Sequence, residues 1–195
     1  MMILRSDLTP ARSRAPAAWP ILVLGTVALL LRLRVFSLPD TDRILVLTVI
    51  FVALLCGSLL LPVARGQKVD VARSLLVFAV GVAGLGAAAI ASGRPAAVPF
   101  GPWALPLSVL AAVAEEAFFR RTAYAAAERR GGPAIAVLLT ALAFAAIHVP
   151  FYGMAVFPVD LGAGLLFGWQ RWETGDWTVP AATHVAANLM AVIAR

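Results

Sequence analysis

The sequence predicts an all-α, polytopic bundle of transmembrane helices, with about seven spans in a range of six to eight. Three observations predict it. Hydrophobic residues make up 62% of the 195 and charged residues 13%, with a mean hydropathy of +0.91. Soluble domains lie near 45–50% apolar and about 25% charged, so a globule of this size could not hide so much apolar surface. Apolar stretches of spanning length recur along the chain, and Pro, Gly and charged residues cluster between them. At about 20 residues per span, the length leaves no room for a separate soluble or nucleotide-binding domain.

Residues 1–17 are polar, carry Arg5, Arg12 and Arg14, and are expected to form a cytoplasmic tail. The first apolar stretch runs from Trp19 to Leu31 and continues past Arg32 and Arg34 to Leu38. It is not read as a signal peptide, because no small-residue cleavage site follows it and further spans do. The next stretches are 44–64, 72–92, 103–127, 133–149, 154–171 and 177–194, punctuated by Pro62, Gly66, Arg94-Pro95, Gly131-Gly132-Pro133 and Gly175-Asp176. Pro150-Phe151-Tyr152-Gly153, followed by Pro158, is expected to form a re-entrant loop. The chain divides into the tail (1–17), peripheral helices (18–100) and a core (101–195).

The basic excess, sixteen Lys and Arg against ten Asp and Glu with pI near 11, reads as positive loops on the cytoplasmic side and not as a nucleic-acid surface. With the N-terminus inside, seven spans place eleven basic residues on the inner face and five on the outer, or ten against five with Arg120 set aside as buried. The expected location is therefore a multi-pass protein of the bacterial inner membrane with a cytoplasmic N-terminus. Cys56 stands alone in an apolar run, which excludes an intrachain disulfide or a cysteine metal cluster.

Ionisable groups inside a span are costly, so their positions carry information. Glu115, Glu116 and Arg120 fall together in Ala-Glu-Glu-Ala-Phe-Phe-Arg, His148 ends the apolar run from Ala134, and His184 and Asn188 lie in the last stretch. Neighbouring helical residues point about 100° apart, so the two glutamates cannot serve one site equally. Glu116 and Arg120 are spaced i,i+4 with the acid first, a favourable helical pair. That leaves Glu115 free to face the interior. His184 and Asn188 share a helical face, as do Phe144 and His148. A turn at Gly131-Gly132 brings Glu115 and His148 to similar depth in an antiparallel pair.

A carboxylate and an imidazole held together can orient and deprotonate a water, and a second imidazole with an amide can donate to a developing oxyanion. Together they describe peptide hydrolysis without a covalent intermediate. No G-x-S-x-G elbow occurs. Glu115, His148 and His184 also form a three-ligand zinc set as the alternative, although no H-E-x-x-H is present.

These residues resemble the CAAX-prenyl-protease and bacteriocin-processing (CPBP) family of intramembrane glutamic endopeptidases. Its motifs E-E-x-x-x-R, F-x-x-x-H and H-x-x-x-N appear in order as Glu115-Glu116-Ala-Phe-Phe-Arg120, Phe144-Ala-Ala-Ile-His148 and His184-Val-Ala-Ala-Asn188. The resemblance covers about residues 105–194 and extends to Gly164-Leu-Leu-Phe-Gly168-Trp169, Thr174-Gly175-Asp176-Trp177 and Pro180. It implies a catalytic core in the last four spans. There, Glu115 and His148 activate water, His184 and Asn188 stabilise the oxyanion, Glu116, Arg120 and Phe144 support the site, and no metal or other cofactor takes part. Arg121 departs from the family, which often has glycine there. The partners implied are a membrane-anchored protein or peptide substrate and the bilayer. The substrates implied are a small protein, a peptide or a C-terminal sorting tag; short bacterial members resemble the myxosortase type, which processes such tags.

Plainer readings apply to the rest. Asp160, between Pro158 and Gly162, is expected to cap a helix. Trp169, Trp172 and Trp177 read as an interfacial belt, and Gly162, Gly164 and Gly168 as close helix packing. The rival function is a non-proteolytic transporter or scaffold using Glu115 and His148 as a proton relay. A relay has no need of the His184/Asn188 pair, and the inverted repeats of transporters are not seen.

Overall fold

The computed structural model describes residues 18–35, 37–61, 70–92 and 103–193. The expected tail at 1–17 and the breaks at Pro62, Gly66 and Arg94-Pro95 lie outside the described residues. Within them every regular element is helical: α1 (Trp19–Val35), α2 (Asp40–Leu60), α3 (Val71–Ser92), α4 (Ala104–Glu116), a π-helical segment (Ala117–Ala123), α5 (Tyr124–Tyr152), a 3-10 turn (Met154–Val156), α6 (Phe157–Thr174) and α7 (Thr178–Ile193). By length and composition, Asp40–Leu60, Val71–Ile90 and Ala104–Tyr152 can cross a membrane. Large apolar side chains such as Leu24, Leu60 and Ile90 lie 67%, 81% and 85% exposed. In water each would forgo about 25 cal/mol per Å² of burial, whereas lipid tails cover such a surface without that cost.

Helix ends follow local chemistry. Asp70 Oδ1 accepts the backbone N–H groups of Ala72 and Arg73 at 3.0 and 3.2 Å, capping α3. Asp176 Oδ1 does the same for Thr178 at 3.0 Å at the start of α7. Gly175, at φ +68°, ends α6 in the left-handed conformation that glycine adopts without steric penalty. Gly132, at φ +78°, interrupts α5. The chain reverses there, because Phe119 and Phe144, on either side of it in sequence, meet edge to face with ring centroids 5.5 Å apart.

The segment expected to be re-entrant is not a loop. Helix α5 continues through Pro150 to Tyr152, and only Gly153, at φ +79°, and the 3-10 turn separate it from α6. The turn that holds Pro150 packs through its neighbours, with the Arg32 guanidinium 4.8 Å from the Phe151 ring centroid and Tyr152 stacked on His148 at 6.1 Å, and it closes with Gly153 N–H donating to Val149 O at 2.8 Å.

Small residues let α5 and α6 approach. A β-carbon on Gly164 would stand 2.9 Å from Ala141 Cα, and one on Gly168 would stand 2.9 Å from Val137 Cγ1. Gly162, by contrast, faces open space. The fully buried Gln170 of α6 ties two neighbours, its Nε2 donating to Val77 O of α3 at 3.0 Å and to Thr183 Oγ1 of α7 at 2.9 Å. Arg121 caps α2 from outside, donating to the carbonyls of Ser58 and, at 2.8 Å, Leu61. It thereby satisfies acceptors that any helix C-terminus leaves orphaned. The aromatic core of Phe118, Phe119, Phe144 and Phe167 sits under these contacts, with Leu29, Phe51 and Leu54 from the first two helices.

Candidate active site

The helices enclose a cavity of about 460 Å³. Four of its lining residues are Glu115 of α4, His148 of α5, and His184 and Asn188 of α7. The structure thus brings the four candidate residues to one space from three helices. Its walls also include Arg32, Phe51, Tyr152 and Asp160.

The π-helical segment begins directly after the two glutamates. Widening the turn by one residue re-aims side chains relative to an α-helix, a device common at functional sites. Glu116 is fully buried and serves two partners. Its Oε2 lies 3.3 Å from Arg120 Nε in an ion pair with no solvent exposure on either side, and its Oε1 accepts from His184 Nδ1 at 3.1 Å. Arg120 in turn donates to Gly164 O at 3.2 Å and lies among the rings of Phe144, Phe167 and Phe119, 5.0–5.6 Å from their centroids. The i,i+4 pair expected from spacing is present. Its acid also reaches across to α7, which spacing within one helix could not reveal.

Glu115 is not free. Its Oε1 accepts from Arg32 Nη1 at 2.7 Å, a buried pair between α1 and α4. Arg32, counted above among the five basic residues of the outer face, is a buried member of the site. Its Nε donates to Leu29 O at 3.1 Å, and its guanidinium lies 4.8 Å from the Phe151 ring centroid and 5.5 Å from that of Phe51. The sequence held part of the signal: Arg32 lies within the first apolar stretch, and assigning Glu116 to Arg120 left Glu115 without a cation on its own helix.

His148 Nδ1 lies 2.8 Å from Phe144 O. A carbonyl only accepts, so Nδ1 carries the hydrogen and the neutral ring presents a bare Nε2 lone pair. Phe144 supports the histidines with its ring as well, 4.7 Å from the His148 centroid and 5.8 Å from that of His184. The same logic applies to His184. Its Nδ1 donates to the Glu116 carboxylate, and Phe167 stacks on the ring at 5.0 Å and 21°. Asn188 Nδ2 donates one hydrogen to Ser108 O at 3.2 Å and keeps a second.

Asp160 is not the cap of α6. The N-cap position is Val156, with no side-chain cap bond, and Asp160 lies one turn inside, on the cavity wall. Its Oδ2 stands 3.6 Å from His148 Nδ1. Among the described residues no three of His, Cys, Asp and Glu are placed to hold a metal ion together, so the zinc set Glu115, His148 and His184 is not assembled as ligands.

Chemically, the cavity wall offers the Glu115 carboxylate, the His148 and His184 imidazoles and the Asn188 amide. Residues 97–190 match the family model described as "Rce1-like: Type II CAAX prenyl endopeptidase Rce1-like". No curated protein and no solved structure matches the chain.

Proposed function

We propose that this protein is an intramembrane endopeptidase of the glutamic type, a reading supported by the match of residues 97–190 to the Rce1-like, type II CAAX prenyl endopeptidase model. Its substrate is a membrane-anchored small protein, peptide or C-terminal sorting tag, cut next to the bilayer. The observation that carries the reading is the convergence of Glu115, His148, His184 and Asn188 on one cavity.

In this mechanism a water sits between Glu115 and the bare Nε2 of His148. Its oxygen attacks the scissile carbonyl carbon while a proton leaves it. The carbonyl oxygen becomes an oxyanion facing α7. Asn188 donates its second amide hydrogen to it. His184, its Nδ1–H held by the Glu116 carboxylate, turns Nε2 toward the oxyanion and donates to it when that nitrogen is protonated as well. The proton then passes to the leaving nitrogen as the C–N bond breaks, giving a carboxylic acid and an amine. Glu116, Arg120 and Phe144 hold the histidines in place.

The seven described α-helices, with α5 turning at Gly132, are proposed as a seven-span bundle in a bacterial inner membrane with the N-terminus in the cytoplasm. The test compares the C-termini of membrane proteins from cells carrying the wild-type gene and cells carrying Glu115→Gln. The expected result is a set of proteins whose C-terminal segments persist in the variant. Identical termini in both strains, with both proteins present at equal level, overturn the reading and favour the relay.

A further inference from the structure

The water-activating residues do not carry equal electrostatic loads. Glu115 is already matched by Arg32 at 2.7 Å, and Glu116 by Arg120. Asp160 is the carboxylate on the cavity wall for which no cation stands within ion-pair distance among the described residues except, when protonated, His148 at 3.6 Å. Its Oδ2 is buried from solvent and makes no hydrogen bond. A buried carboxylate oxygen without a hydrogen-bond partner is costly unless something in the working cycle uses it.

We propose that Asp160 is a positioning residue for His148, stabilising the imidazolium that forms when the attacking water gives up its proton. The proposal rests on the proteolytic reading above and deepens it. His148 Nδ1–H is fixed on Phe144 O, and Asp160 Oδ2 lies on the same edge of the ring, beyond hydrogen-bond length but within reach of a charge. Beside a neutral ring Asp160 faces only a weak dipole. Once Nε2 takes the water's proton, a full positive charge appears beside Asp160, so the interaction strengthens as the barrier is climbed, which is the condition for catalysis. The charged and titratable groups around His148 fit this division: Arg32 from α1, Glu115 from α4, Tyr152 stacked at 6.1 Å on its own helix, Asp160 from α6 and His184 from α7. With its charge matched by Arg32, Glu115 orients the water. The proton goes to His148 and from there to the leaving nitrogen, so bonds and protons balance.

The experiment measures kcat and KM on a membrane-anchored reporter derived from a protein whose terminus depends on Glu115. It uses purified wild type, Asp160→Asn, Asp160→Glu, His148→Ala and the His148→Ala/Asp160→Asn double variant, with thermal unfolding of each. Asp160→Asn is expected to lower kcat about a hundred-fold, the scale of a general acid–base contribution, with KM within about two-fold and an unchanged unfolding temperature. Asp160→Glu recovers at least a tenth of the wild-type kcat, and in the His148→Ala background Asp160→Asn costs nothing further. A raised KM with unchanged kcat, or equal losses in the two backgrounds, overturns the positioning role while leaving the protease reading intact. Wild-type turnover by His148→Ala overturns the role of His148 and with it the positioning role, and no cleavage of the reporter by purified, folded wild type overturns the protease reading itself. If Asp160→Asn fails to accumulate, Asp160→Glu decides: no more activity than His148→Ala in folded protein counts against the proposal.

Discussion

Arg32, in the last turn of α1, donates to Glu115, in the last turn of α4, at 2.7 Å, and both side chains are nearly dry. The contact spans 83 positions of sequence and joins the peripheral helices to the residue proposed to orient water. A buried pair of this kind is weak evidence for stability as a whole, but its halves depend on each other, since removing one leaves an uncompensated charge.

Arg32→Ala should therefore destabilise the protein by about 3–5 kcal/mol, while Arg32→Ala/Glu115→Gln should recover a large part of that loss. Thermal unfolding in detergent of both single variants and the double measures the coupling. Additive effects would show that the pair does not act as a unit.

The two glutamates should separate by phenotype. Glu115→Gln leaves Arg32 without its counterion and so lowers the unfolding temperature, and the protein that does fold turns over no substrate because the water-orienting charge is gone. Glu116→Gln strips a partner from Arg120 and from His184 at once, so it lowers both abundance and kcat. Immunoblotting beside turnover of purified protein checks this. Activity in Glu115→Gln with none in well-folded Glu116→Gln reverses the assignment.

Asn188→Ala should lower kcat on the order of a hundred-fold or more with little change in KM, the scale of losing one oxyanion donor. Because Asn188 also ties α7 to Ser108 O, a small drop in unfolding temperature accompanies it. A loss confined to KM would place Asn188 in substrate binding instead.

Gly164→Val should cost about 1–3 kcal/mol or more through overpacking, since its β-carbon would press on the Ala141 backbone. The same change at Gly162, which faces open space, should leave the unfolding temperature within about 1 °C, because surface substitutions are typically near neutral. Equal losses at the two positions would contradict the packing described.

Activity should survive prolonged dialysis against a strong chelator. His184 spends Nδ1 on Glu116, and its neighbour on the helix face is Asn188, whose amide donates well and binds zinc poorly. Metal analysis alongside the reporter assay decides: one zinc per chain, with activity lost on removal and restored on return, defeats the metal-free mechanism.

Much of this was legible in the sequence, because the rules involved are local. Apolar runs and Gly–Pro punctuation gave the helices, and i,i+4 spacing gave Glu116–Arg120, Phe144–His148 and His184–Asn188. What local spacing misses is any contact set by packing between helices. Arg32 reads as a loop cation until α1 is laid against α4. Asp160 reads as a cap because Pro158 and Gly162 flank it, yet α6 starts early enough to turn it into the cavity. Pro150 and Gly153 suggested a re-entrant loop because their individual propensities oppose helix, and tertiary contacts outweighed them.

The cavity wall has a further consequence for how the chain can be divided. Arg32, Leu47, Phe51 and Leu85 close one side of it, and all four precede residue 97, where the family match begins. A fragment trimmed to that match would keep every proposed catalytic residue but open the chamber to lipid and leave Glu115 without its counterion. The N-terminal half, which carries none of the three motifs, is thus where related chains could differ in what they admit while keeping the same chemistry.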